Sequence, residues 1–372
     1  MKAQEKTITP AQSFFFILQT QIGVSVLSLP YVVYVGAGTD SWLSILLAGF
    51  AIQLFILCFV LMLRAHPELN FYDVLLAYCG KRFGSAIIFV YVLYFSFVGI
   101  LLVVLFVRMI NRWVLPLTPT WIIGFMLVIA ALYLAREQIR ILARFNVFVT
   151  PLLFVLLFLI TYAIQYVNPL YVLPLFQASW ADIFATTKDA TTAMLGFEII
   201  LVLYPFITGD ARKKLTAFSL ANFVLTLFYV YVTIVCYMFF SPVELTLIPE
   251  PVLYILKSFS FQIIERTDLL FLSIWIVCAF TSLVNYLYIA SAGLAKTLKK
   301  RHHKTVVTWI AGLIYVGSLF PIDSEERVIQ FSSYVTNSSF LFVFAIPLLF
   351  FVLVMTSPSK LQKFALEKEE RN

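Results

Sequence analysis

ATTAMLGFEIILVLYPFITG, residues 190 to 209, is the stretch whose reading decides the fold. It is apolar almost throughout and has the roughly 20-residue length of a membrane-crossing helix. Yet it carries a carboxylate, Glu198, two residues after Gly196, with Thr191 and Thr192 upstream and Pro205 near its far end. A charge at mid-membrane costs at least about 2.5–3.5 kcal/mol on insertion scales, so such a group usually faces a cavity or a partner. Glycine and proline in one span mark a helix that can break where its backbone lines a cavity.

Working outward, the whole chain has the composition of a membrane protein. Of its 372 residues, 62% are hydrophobic and only 12% charged, against about 25% charged in soluble domains. Ten spans are expected, at about 11–35, 41–63, 84–107, 119–135, 146–166, 190–208, 217–240, 267–294, 305–320 and 334–355. Two further stretches, about 172–188 and 250–264, read as interfacial or re-entrant pieces or as amphipathic loop helices. The first apolar segment is too long for a signal-peptide core and no small-residue cleavage site follows it, so it is expected to stay as a span. The chain therefore reads as a single transmembrane domain with a tail at 356–372.

The net charge of +7 resides in short clusters between spans, which is a topology signal and points away from nucleic acid. Twenty of the 26 lysines and arginines fall in loops on the side of the N-terminus, among them Lys2, Lys6, Arg301 and Arg371. The other side holds only Arg108, Arg112, Lys188, Lys257, Arg266 and Arg327. Positive residues concentrate in the cytoplasm, so both termini are expected there.

Ten spans divide into five and five, about 11–166 and 190–355. An odd half must re-enter from the opposite side, which makes the second half an inverted repeat. Spans one and six then correspond, and transporters of this plan break their helices there. Span one reads FILQTQIGVSVLSLPYVV, with Gly23 ahead of Pro30. Gly23, Val24 and Ser25 form its expected unwound point, where freed amides suit a ligand carboxylate and freed carbonyls an ammonium group. Gln19 and Gln21 add polarity just before it. Gly196 and Phe197 supply the matching surface in span six, and Glu198 either accepts an ammonium group or proton or makes a helix-locking hydrogen bond. Small packing residues and proline kinks would also give this pattern.

Tyr91 and Tyr94 lie in span three, where Tyr94 could wall a central pocket or serve only in packing. Thr281, Ser282 and Asn285, spaced three and four apart, share a face in the middle of span eight. That face either lines a site or bonds a neighbouring helix. No phosphate-binding loop, nucleophile elbow or paired intramembrane carboxylates are present, so an enzyme is not expected. Asp323, Glu325 and Glu326 read as a solvated rim. The four cysteines show no paired spacing, the histidines no ligand spacing, and neither a metal nor a cofactor is expected.

With these residues laid out, the chain resembles the B subunit of bacterial spore germinant receptors, a group similar to permeases of the amino acid–polyamine–organocation superfamily. The resemblance spans essentially the whole length. It is carried by IGVSVLSLP, by GFEIILVLYPFI with the basic loop after it, and by SIWIVCAFTSLVNYLYIASAGLAKTL. It implies sensing of a nutrient germinant, an amino acid or sugar, in the spore inner membrane, with a membrane-embedded A subunit and a lipoprotein C subunit. It also implies that Gly23 is the glycine of the broken first span, which here reads GVS with Ser25 in place of a second glycine. Gly196 and Glu198 match a G-x-E in span six, Thr281 and Ser282 a hydroxyl pair in span eight, and Tyr94 a tyrosine in span three. An ion-coupled amino acid permease or a ligand-gated ion or water conduit would use the same pocket.

Overall fold

The computed structural model describes residues 7–259, 266–300, 302–320 and 324–369. Lys2, Lys6, Arg301, Asp323, Arg371 and part of the 250–264 stretch lie outside the described residues. Thr9 and Gln12 form a reciprocal capping box that starts α1 (Pro10–Gln21), with Pro10 in its first turn where no amide partner is needed. This helix stops at Gln21. A 3-10 turn at Val24–Leu27 follows, and the chain resumes as α2 (Leu29–Ala37). The first span is therefore two half-helices with a non-helical joint at residues 22–23.

A second 3-10 turn, Gly38–Ser41, leads into α3 (Trp42–Leu63). Asn70 and Asp73 then cap α4 (Phe71–Trp113), a 43-residue helix interrupted at Gly80, whose φ of 72° is outside the helical region. Its prefix before Gly80 explains why the helix begins well ahead of the apolar run at 84. Next come α5 (Thr120–Ala135), α6 (Ile139–Val149) and α7 (Pro151–Tyr162).

The 172–188 stretch differs from the sequence expectation. Ser179 accepts from the Asp182 amide and starts α8 (Trp180–Ala193), which is the first half of the sixth span. A bend of 55° separates it from residues 197–206, which include α9 (Ile200–Leu203). The remainder is α10 (Ala211–Phe239), α11 (Pro242–Leu245), α12 (Pro251–Lys257), α13 (Thr267–Thr297), α14 (Val307–Leu319), α15 (Glu325–Ser339), α16 (Ile346–Thr356) and α17 (Pro358–Glu369). A π-helical turn, Phe340–Ala345, joins α15 to α16, and the Tyr91 hydroxyl donates to the Phe342 carbonyl within it at 2.9 Å.

Among the described residues, six helical stretches are long and apolar enough to cross a membrane, and the bent pair makes a seventh. α5 and α14 are shorter apolar helices. α13 packs along α4, and α1 lies among α10, α6 and α13. Phenylalanine and aliphatic side chains remain exposed along α3, α7, α10 and α16, as a bilayer requires of helices whose outer face meets lipid.

The broken spans are tied to each other at both ends. At one end Ile8 pairs with Ile207 in a β-bridge, with its amide on the Phe206 carbonyl at 2.8 Å. At the other, the buried Asp40 carboxylate accepts the amides of Phe176, Gln177 and Ala178 at 2.6–2.9 Å. Each half of span one is thus fastened, through the residues flanking it, to chain at the matching end of span six.

Candidate functional site

A helix that ends inside a membrane leaves its last carbonyls without partners, and no water is present to meet them. α1 ends in this way at Gln21, and α13 supplies what it lacks. The Ser282 hydroxyl lies 3.0 Å from the carbonyl oxygens of both Gln19 and Thr20. Thr281 sits 3.3 Å from the Gln19 carbonyl and donates within its own helix to Cys278. Asn285 donates to the Thr20 hydroxyl at 2.8 Å and faces Asn146 of α6 at 3.3 Å. Thr281, Ser282 and Asn285 therefore all face the broken end of span one.

Gly196 forms the joint of span six. Its φ of +128° is open to glycine and strained for other residues. A Cβ there would stand 2.8 Å from the Gln21 nitrogen and from the Thr20 carbonyl carbon and oxygen. The two joints thus meet backbone to backbone. Gln21 strengthens the contact by donating to the Met194 carbonyl at 3.0 Å, and the Tyr229 hydroxyl reaches the Gln21 carbonyl at 3.2 Å.

Glu198 lies behind this joint, 1% exposed. One carboxylate oxygen accepts the Gly196 amide at 2.7 Å, and the other accepts the Tyr286 hydroxyl at 2.5 Å. Phe197 is buried between Phe59 and Phe344. Tyr94 is buried too, stacked on Phe342 at 4.8 Å, with a hydroxyl that has no hydrogen-bond partner among the described residues.

Beside the joints is a cavity of about 130 Å³. Thr20, Gln21, Gly23, Ser25, Thr192, Ser282 and Tyr286 contribute its polar wall. Val98, Leu101, Leu102 and Leu105 of α4 form an aliphatic wall, and among the described residues no charged side chain lines the cavity. Gln21 is 1% exposed, and its side-chain oxygen is buried with no hydrogen-bond partner among the described residues.

Of the residues singled out from sequence, Gly23, Ser25 and Ser282 line this cavity. Thr281, Asn285, Gly196, Phe197, Glu198 and Tyr94 lie behind it, and Val24 belongs to the 3-10 turn at its edge. Gln21 and Thr192, noted in the sequence for their polarity, line it as well, whereas Thr20, Tyr286, Ser332 and Thr336 also line it and were not singled out. Tyr286 stands four residues after Ser282, so extending the helical spacing by one turn would have found it.

The cavity meets a larger vestibule of about 310 Å³ at Ser25, Leu105 and Ser332. Arg112 pairs there with Glu250 at 3.2 Å, and Arg108 approaches Glu325 at 3.9 Å. Trp113 also donates to Glu250, at 3.1 Å. One partner of each pair is half-exposed or more, so solvent screens them and holds each to about 1 kcal/mol.

Two solved structures share this architecture. One is a sodium-coupled sialic acid symporter in a substrate-bound, outward-open state, with a TM-score of 0.67 at 11% identity, covering 89% of this chain and 76% of that one. The other is a nucleobase–cation symporter in a closed conformation with bromovinylhydantoin bound, with a TM-score of 0.60 at 15% identity, covering 89% and 75%. Curated relatives are closer in sequence. Spore germination protein GerQB of Bacillus cereus is 24% identical over 361 residues, 96% of this chain and 98% of that protein. Spore germination protein A2 of Bacillus subtilis (strain 168) is 26% identical over 352 residues, 92% and 94%. A family described as spore germination protein matches residues 7–327. With so much of its length matched, the chain belongs to the spore germination protein family, built on the fold of secondary transporters.

Proposed function

We propose that this chain is the membrane subunit of a spore germinant receptor that binds a small nutrient solute between its two broken helices. It crosses the spore inner membrane ten times, as an inverted repeat of about 11–166 and, with α8 included, 180–355 in one transmembrane domain, with both termini in the cytoplasm. It acts with a membrane-embedded A subunit and a lipoprotein C subunit, to which occupancy of the cavity is passed.

The observation that carries this reading is the cavity beside the joints. Its charge-free lining favours a solute with no net charge, and its size favours a small one, since pockets for drug-sized ligands run from about 300 Å³. A small zwitterionic amino acid fits this chemistry better than a sugar. The first amides of the turn beginning at Val24 have no acceptor inside that turn and suit a carboxylate. Hydroxyl oxygens lining the cavity, such as those of Ser25 and Thr336, can accept from an ammonium group, and the leucines of α4 suit a short aliphatic side chain.

A second reading, an ion-coupled permease, is favoured by the fold and by the vestibule that shares Ser25, Leu105 and Ser332 with the cavity. One preparation tests both. The full chain is reconstituted in vesicles, and saturable binding of labelled neutral amino acids and sugars is measured beside their uptake. Binding without accumulation is expected for the receptor. Accumulation would replace it by the permease, and absence of saturable binding would remove the ligand site altogether.

A further inference from the structure

We propose that the groove between the start of α1 and the start of α10 is a binding site for an anionic phospholipid. The groove encloses about 810 Å³ and is rimmed by Arg212 and Lys213 in the first turn of α10. Both side chains are exposed, and neither has an ion-pair partner among the described residues. The carboxylate that also lines the groove, Asp210, is engaged as the helix cap and accepts the Lys213 amide at 3.2 Å. The next lysine is not available, because Lys214 is buried, donates to the Tyr204 carbonyl at 3.1 Å and lies over the Tyr204 ring.

Below the cationic rim the wall becomes apolar. Phe14 and Phe15 of α1 face Leu220 of α10, eight residues beyond Arg212, which is about 12 Å along a helix. Leu220 is 49% exposed, and Phe223 and Leu227 continue the apolar strip along the same helix. A cationic rim at the end of a span, with an apolar slot running from it into the bilayer, matches one molecule in two parts. The phosphate meets Arg212 and Lys213, and the first methylenes of an acyl chain lie on Phe15 and Leu220. A free anion would use only the rim, and a zwitterionic lipid would forgo the charge. Occupancy would brace α1 against α10 beside the Ile8–Ile207 bridge, where the inner halves of the broken spans are joined.

The test compares the purified full chain with an Arg212→Gln/Lys213→Gln variant and with a control, Lys299→Gln/Lys300→Gln, at another basic loop. Lipid retained in detergent is measured by native mass spectrometry after equal exposure to phosphatidylglycerol and phosphatidylcholine. The wild type and the control are expected to retain phosphatidylglycerol at least fivefold over phosphatidylcholine, and the groove variant to lose that preference. Thermal unfolding with added lipid gives a second measurement, in which phosphatidylglycerol alone should raise the wild-type midpoint. An unchanged preference in the groove variant would overturn the proposal. So would an equal rise in midpoint from inorganic phosphate, which would show an anion site without a lipid. Loss of an acidic partner chain from the groove variant, with lipid retention unchanged, would assign the groove to protein and overturn it too.

Discussion

Gly196 and Thr20 touch backbone to backbone, at the point where the two broken spans meet: a Cβ on Gly196 would lie 2.8 Å from the Thr20 carbonyl oxygen. The positive φ of Gly196 and this approach act on the same position, so the two costs add. Gly196→Ala is expected to destabilise the chain by roughly 2 kcal/mol or more. A thermal unfolding midpoint in detergent that stays at the wild-type value would show that the joints are looser than this contact implies.

Glu198 holds the same joint from behind. Its two oxygens take the Gly196 amide and the Tyr286 hydroxyl, and it does not line the cavity. Glu198→Gln keeps an acceptor for the amide, and its NH₂ can donate to a reoriented Tyr286 hydroxyl. Glu198→Leu leaves both groups buried and unpaired, at about 1–3 kcal/mol each. The glutamine variant is therefore expected to accumulate normally and respond to germinant within a few-fold of wild type, and the leucine variant to be depleted. Normal accumulation of the glutamine variant with complete loss of response would instead give the carboxylate a direct part in ligand or proton binding.

The apolar spans and both joints are legible in the sequence, because a bilayer demands apolar length and because Gly23 and Gly196 interrupt it. The start of span six is hidden. Its first half carries Thr186, Thr187, Lys188, Asp189, Thr191 and Thr192, and a half-helix this polar resembles a loop. Lys188 is met by Asn337 at 3.2 Å across the fold, a pairing no local pattern announces. The spacing of Thr281, Ser282 and Asn285 showed that they share a face. That the face meets the carbonyls of residues 19 and 20, over 260 positions away, is fixed only by packing.

At the other end of α4 from the vestibule, Asp73 accepts Lys296 of α13 at 2.6 Å and Lys368 of α17 at 3.2 Å. Burial works to raise the Asp73 carboxyl, but the two ammonium groups outweigh it and hold it below the usual range. A depressed carboxyl contributes stability above its unfolded value, about 3.9, and loses it as pH falls through the folded value. Wild-type stability should therefore drop below about pH 4 in part through this group. Asp73→Asn should lie about 1–3 kcal/mol below wild type at pH 7, and the gap should close as the pH is lowered. Lys368→Gln, removing the more exposed partner, should cost less than about 1 kcal/mol. A gap between Asp73→Asn and wild type that is the same at pH 7 and pH 3 would contradict the assignment.

Sidedness has its own test. Ser324 precedes α15 at the vestibule end, and His302 follows α13 at the other. With Cys58, Cys79, Cys236 and Cys278 replaced, Ser324→Cys should label with an impermeant thiol reagent from outside and His302→Cys should not. The reverse pattern would invert the orientation, and labelling of both would break the ten-span count.

Gly23 gives the sharpest separation of ligand binding from folding. It lines the cavity, and its φ of −102° lies in a region open to any residue. A Cβ added there meets nothing within 4 Å, so a side chain has room, and the room is the cavity itself. Gly23→Ala should be tolerated, with a modest loss of affinity. Gly23→Val should fill a large part of about 130 Å³ and place its methyls where the amides must meet the ligand. Germinant response and amino acid binding are expected to fall by at least tenfold in the valine variant, while protein level and thermal midpoint stay close to wild type. A valine variant that binds and responds with unchanged concentration dependence would move the ligand out of this cavity. One that fails to accumulate would show the joint to be tighter than the open space beside Gly23 indicates, and Gly23→Ala would then carry the comparison.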